Sequence, residues 1–80
     1  MHQHERYMQM AIGLAKKAAL LGEIPVGCVI VQEDKIVGCG YNLREKQKNA
    51  LLHAELTAIH EACETLQSWR LQNCTLYVTL

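Results

Sequence analysis

The first stretch of the chain with a clear rhythm runs from about residue 3 to 21, where Met8, Ala11, Ile12, Ala15 and Ala19 recur at intervals of three and four. That spacing predicts an amphipathic helix with one buried stripe, and Lys16 and Lys17 fall off it. Gly22 suits the C-cap, and Pro25 keeps the helix from resuming. The rhythm then changes. Val26 to Val31 is apolar on both faces, as a central strand requires. Glu33-Asp34 makes a turn, and Lys35 to Tyr41 returns as a second strand. Asn42 to about Leu51 is polar and reads as a loop. The helical period resumes from about Leu52 to Leu66, with Leu52, Leu56, Ile59, Cys63 and Leu66 on one side. A short connection holding Trp69 and Arg70, with Trp69 as a packing anchor beneath it, leads to a third strand from Cys74 to Leu80.

The order α-β-β-α-β predicts an α/β fold in which helices pack on a sheet and a crossover joins the second and third strands. If the turn has two residues, Val31 faces Ile36 and Cys28 faces Cys39, with Cβ atoms about 4.5–5.5 Å apart. The third strand ends on an apolar residue, so the sequence reads as stopping inside a domain. That strand is then expected to present an open edge able to template association.

Composition narrows the class. Eighty residues make one domain, and 50% hydrophobic residues suffice for a core. Eight basic residues balance eight acidic ones, which gives no electrostatic sign of nucleic-acid binding over the whole surface. A local cluster, Arg44, Lys46 and Lys48, has the chemistry for phosphate contacts, although Glu45 sits among them and a solvated loop explains them more readily. No apolar run reaches the roughly 18 residues of a membrane span, and the polar N-terminus has no signal-peptide pattern. A cytoplasmic protein with no membrane contact is expected. Its four cysteines, 28, 39, 63 and 74, form no C-x-x-C pair and read as free thiols, the facing pair included.

Chemistry concentrates at His53-Ala54-Glu55, at the start of the second helix. Imidazole ligates zinc, and a neighbouring carboxylate can move protons to and from an activated water. Residues two apart lie about 200° apart around a helix, but in a first turn facing a pocket both can flank one site. The tripeptide alone is common, and taken alone it reads more readily as a polar first turn with a carboxylate favoured by the helix dipole. His2, His4 and His60 read as solvated; Met8 belongs to the first helix's stripe and Met10 lies off it.

The surrounding residues add more. Gly22-Glu23-Ile24-Pro25-Val26-Gly27-Cys28, Gly40-Tyr41-Asn42, His53-Ala54-Glu55, Ser68-Trp69-Arg70-Leu71 and Cys74-Thr75-Leu76-Tyr77-Val78-Thr79-Leu80 together resemble the cytidine deaminase superfamily. The similarity is closest to the bacterial-type tRNA-specific adenosine deaminases and covers essentially the whole chain. It implies that residues 1–80 are the N-terminal portion of a zinc deaminase domain, an α-β-β-α-β part of a three-layer fold with a central mixed sheet. In that family a Pro-Cys-x-x-Cys motif completing the metal site follows. The resemblance implies His53 as a ligand to one Zn2+ per subunit, Glu55 as the general acid/base, and Asn42 as a contact to the target base. It implies that the Ala54 N–H also faces the base. The activity implied for the intact protein is hydrolytic deamination of a nucleobase, adenosine to inosine at the tRNA wobble position, in a homodimer that binds the anticodon loop. Deamination of free guanine or cytosine, as base or nucleoside, is the alternative within the same fold. One ligand cannot hold catalytic zinc. The 80-residue chain alone is therefore expected to be inactive, and a different reading makes it an inert fragment that self-associates through its third strand. Two features depart from the family pattern. Glu33-Asp34 replaces the usual Asp-Gly, which predicts a looser turn, and Asn49-Ala50-Leu51-Leu52 replaces a Pro-Thr-containing segment.

Overall fold

The computed structural model describes residues 2–43 and 49–79, the His2 side chain excepted. The expected basic cluster, Arg44, Lys46 and Lys48, lies outside the described residues. The order of elements is the one the periodicities predict: α1 (His2–Leu20), β1 (Gly27–Gln32), β2 (Lys35–Tyr41), α2 (Ala50–Leu66) and β3 (Cys74–Val78). α2 starts two residues earlier than the leucine pattern suggests.

β1 is central, in the order β2-β1-β3, and it is antiparallel to both neighbours. The strand pairs present are thus all antiparallel, where a mixed sheet is expected of the whole domain. The crossover through α2 skips over β1, so that β2 and β3 run in the same direction on either side of it. Among the described residues β3 lies at one end of the sheet and β2 at the other. One core cluster lies on the α2 side of the sheet, around Cys28, Ile30 and Val37, and a second on the α1 side, around Tyr7, Val29 and Tyr77. The result is three layers.

The turn between β1 and β2 is tight. Glu33 and Asp34 have φ of 49° and 64°, the left-handed pair of a two-residue hairpin, so the looser turn expected from the missing glycine is not what forms. A long-range bond compensates: the Tyr7 hydroxyl donates to the Asp34 carbonyl at 2.9 Å, tying the turn to α1. Beyond the turn the expected register holds only for Gln32↔Lys35 and Val31↔Ile36. A bulge then shifts the pairing by one, and Cys39 faces Val29 instead of Cys28. Because a one-residue shift exchanges the faces of a strand, Cys28 packs on the α2 side and Cys39 on the α1 side. Both are free thiols.

The largest correction concerns the helix faces. α2 buries Ala50, Ala54, Ala58 and Ala62, while Leu52 (54%), Leu56 (55%) and Ile59 (36%) are exposed and Cys63 and Leu66 half-buried. Glycines in β2 give the reason. A Cβ on Gly38 would stand 2.3 Å from the Ala58 carbonyl oxygen, and one on Gly40 would stand 2.5 Å from that of Ala54. The helix backbone rests on the strand, and no side chain larger than a methyl fits between them. α1 docks the same way over Gly27, whose Cβ would stand 2.0 Å from the Ala11 carbonyl oxygen. Its buried line is accordingly Tyr7, Ala11, Ala15 and Ala18; Met8 and Ile12 are half-buried and Ala19 is exposed. Gly22 ends α1 at φ 80°, with the Glu23 N–H donating to the Ala18 carbonyl in a Schellman-type closure. Trp69 is 83% exposed, so the expected packing anchor is instead a surface side chain, with the Arg70 guanidinium 5.5 Å from its ring centroid. Leu71 takes the inward place in that connection.

Gly40→Ala is expected to lift α2 and cost about 3 kcal/mol, the upper range for overpacking a filled interface. Gly13→Ala meets no atom within 4 Å and is expected to stabilise by up to about 1 kcal/mol through helix propensity. Urea denaturation of the two variants gives opposite shifts of midpoint; a neutral Gly40→Ala is incompatible with the docking described.

Candidate active site

The close docking of α2 sets where the predicted chemistry falls. Ala54 is fully buried against Gly40. Residues one before and one after it lie about 100° to either side around the helix. His53 and Glu55 therefore flank the contact line, and both are half-buried. His53 lines a surface pocket of about 270 Å³ with Asn49, Leu52 and Leu56. The Thr57 hydroxyl donates to the His53 carbonyl at 2.9 Å. Glu55 falls on the other side, where its charge reaches Cys28. The two residues thus straddle one alanine rather than share one pocket wall.

Cys28 reports the field at this place. Burial pushes its thiol up from the ordinary 9.0 to about 12, with the Glu55 carboxylate and then Cys39 adding to the effect. Cys28 is consequently a neutral packing group, not a nucleophile.

Asn42 follows β2 and is fully buried. Its N–H donates to the Val26 carbonyl at 3.1 Å, and its Nδ2 donates to the Ile24 carbonyl at 3.1 Å. Those bonds fix the amide and leave Oδ1 buried without a partner among the described residues. A buried acceptor with no donor costs roughly 1–3 kcal/mol, so its presence needs an explanation. Two distant motifs meet here: the segment Gly22–Cys28 supplies the carbonyls, and Gly40-Tyr41-Asn42 supplies both the amide and the glycine beneath Ala54. The carbonyls of Ile24 and Val26 escaped the sequence reading, although Pro25 between them hinted at a fixed backbone.

Ala54 is the fifth residue of α2, which begins at Ala50, and it is fully buried. His60 is solvated as expected and lies 3.6 Å from Glu64. His4, expected to be merely solvated, shares a hydrogen bond with the Tyr77 hydroxyl.

Catalytic zinc takes three protein ligands and an open position. Among the described residues no group of three or more His, Cys, Asp or Glu is placed to share a metal ion. His53 suits one ligand position, and these residues alone do not make a site. Among the described residues, too, no helix is long and apolar enough to cross a membrane.

The fold has known counterparts. The model of the cytidine and deoxycytidylate deaminase zinc-binding region matches residues 1–80, and the chain belongs to that family. It is 49% identical over 80 residues to the tRNA-specific adenosine deaminase of Bacillus subtilis (strain 168), covering all of this chain and 50% of that protein. It is 49% identical over 76 residues to the chloroplastic tRNA(adenine(34)) deaminase of Arabidopsis thaliana, covering 95% of this chain and 6% of that one. A solved structure from work on A-to-I editing by tRNA:A34 deaminases superposes with a TM-score of 0.79 at 34% identity, over 94% of this chain and 54% of that chain. Guanine deaminase from Bacillus subtilis gives 0.80 at 36% identity, over 94% and 48%. The chain spans about half the length of the bacterial relative. Its three-layer arrangement is cytidine-deaminase-like.

Cys28 gives a test of the packing at this site. From about pH 9 upward the unfolded thiol ionises while the folded one keeps its proton, so stability falls as pH rises towards about 12. The expected slope from this group is at most about 1.4 kcal/mol per pH unit. Urea midpoints measured across that window should fall more steeply in the native chain than in Cys28→Ala, with no difference in pH dependence below about pH 9.

Proposed function

We propose that the intact protein containing this chain is a zinc-dependent hydrolytic deaminase that converts adenosine to inosine at the wobble position of tRNA. The observation that carries the reading is the juxtaposition around Gly40. His53 and Glu55 are held at fixed height on either side of Ala54, and the next residue but one after Gly40 is Asn42, with its unpartnered buried acceptor. The tRNA deaminase relatives support the substrate.

In this reading Asn42 takes a polar edge of the target base, which relieves the orphaned Oδ1. Glu55 is the proton carrier. Water adds at C6 of adenine, and the C–N bond to the amine then breaks, giving inosine and ammonia. Glu55 takes the first proton of the attacking water and passes it to the ring nitrogen, then takes the second from the new hydroxyl at C6 and passes it to the departing amine. His53 is the residue of this chain assigned to hold zinc, one ion per subunit. An anticodon loop suits such a site because its unpaired bases extrude easily. The reading also places the protein in the cytoplasm as a homodimer. Ala54 seats the helix over Gly40 through its small side chain, and its N–H is assigned to face the base.

Glu55→Gln in the intact protein is expected to lower kcat by about 10²–10⁴-fold with zinc content unchanged. His53→Ala is expected to lose the metal itself, as measured by atomic emission after dialysis. Full turnover in Glu55→Gln would sink the assignment.

The likeness to guanine deaminase supports a second reading, deamination of a free base. Ammonia release from an anticodon stem-loop, set beside release from free guanine and cytosine and their nucleosides, separates the two. Turnover of the stem-loop is the expected result; turnover of the free compounds alone would leave the second reading standing.

A further inference from the structure

Among the described residues β2 lies at one end of the sheet, and a side chain of α2 reaches its outward side. The hydrogen-bond alternation of the β1–β2 ladder shows which groups face out. Asn42 donates to Val26, whereas Gly27 bonds to Thr79 on the β3 side. Cys39, facing Val29, is therefore in a pair whose N–H groups point away from each other. Its N–H donates to Glu61 Oε1 at 2.9 Å.

Glu61 reaches this amide because of the close docking of α2. Cys39 lies between Gly38 and Gly40, on which the helix backbone rests, and Glu61 directly precedes Ala62, whose Cβ would lie 2.9 Å from one built on Gly38. The same carboxylate also raises the Cys39 thiol pKa, after burial, by its charge and a hydrogen bond. From the opposite layer, Lys17 Nζ stands 5.1 Å from the Tyr41 ring centroid. Charges of both signs thus converge on one strand, next to a bulge that alters its pairing. Bulges and charges directed at an edge are the means by which sheets avoid edge-to-edge pairing.

We propose that Glu61 closes the β2 edge, holding the outward N–H that the extended backbone of a second copy needs for strand addition, with Lys17 guarding the same edge from the α1 side. Association through sheet edges is thereby denied to β2. This proposal is independent of the deaminase reading, and its test does not use activity.

The test compares the full-length protein with Glu61→Ala and Glu61→Gln. In Glu61→Ala the Cys39 amide is expected to exchange with solvent about tenfold faster at low concentration. At higher concentration, sedimentation velocity should show species larger than those of the unaltered protein. Glu61→Gln keeps an acceptor oxygen and should match the unaltered protein in both measurements. Unchanged Cys39 exchange in Glu61→Ala overturns the proposal, and so does faster exchange without added association. Should Glu61→Ala not fold, the unaltered protein still decides: a Cys39 amide exchanging at the rate of an open backbone group refutes the bond.

Discussion

Everything in this molecule depends on how near a helix can come to a strand. Alanine at every fourth position of α2 and glycine at alternate positions of β2 let the two backbones touch, with carbonyl oxygens of one where side chains of the other would be. The contact area comes from backbone and methyl groups instead of large side chains, and dispersion over many short contacts replaces the usual leucine interlock. Such an interface has little slack. Its reward is positional: the height of α2 above the sheet is fixed by atoms that cannot change rotamer.

That constraint organises the candidate site. Asn42 extends the strand whose glycines seat the helix, and its amide is held by the backbone on either side of Pro25. His53 and Glu55 ride on the helix. Groups from two elements, Asn42 after β2 and the His53–Glu55 pair on α2, are thereby referred to a single contact, and the orphaned Asn42 oxygen is the one buried side-chain polar atom that folding leaves unsatisfied among the described residues. Rigid elements bearing the functional groups, with a buried acceptor left open, are what a preorganised binding site requires.

The sequence made the order and type of the elements legible because each has a distinct period and clear Gly or Pro punctuation. Gly22, Pro25 and the apolar run after it place α1 and β1 within a residue or so. The buried faces were not legible. α2 carries two apolar stripes, one of leucines and one of alanines, and bulk favours the wrong one unless the glycines of β2 are read together with it. The bulge escaped because nothing in Val31 or in Ile36 to Gly38 marks an extra residue, and it undid the Cys28–Cys39 pairing. Trp69 misled for a related reason: size suggests burial, but Leu71 already fills the inward position. At the site, the chemistry of His53 and Glu55 marks them and the family resemblance adds Asn42 and the roles, whereas the placement of the pair on opposite flanks of Ala54 follows only from knowing which face of α2 is down.

The straddled arrangement has a mechanical consequence. Two side chains on either side of a contact line respond alike when the helix slides along or rises from its bed, since both move together and keep their separation. They respond oppositely when it rolls, one sinking as the other climbs. The four alanines are the buried line of α2, and the helix backbone rests on Gly38 and Gly40 too closely for a larger side chain to turn in beneath it. The heights of imidazole and carboxylate above the sheet are thus kept matched, because the seating opposes the roll that would raise one and sink the other.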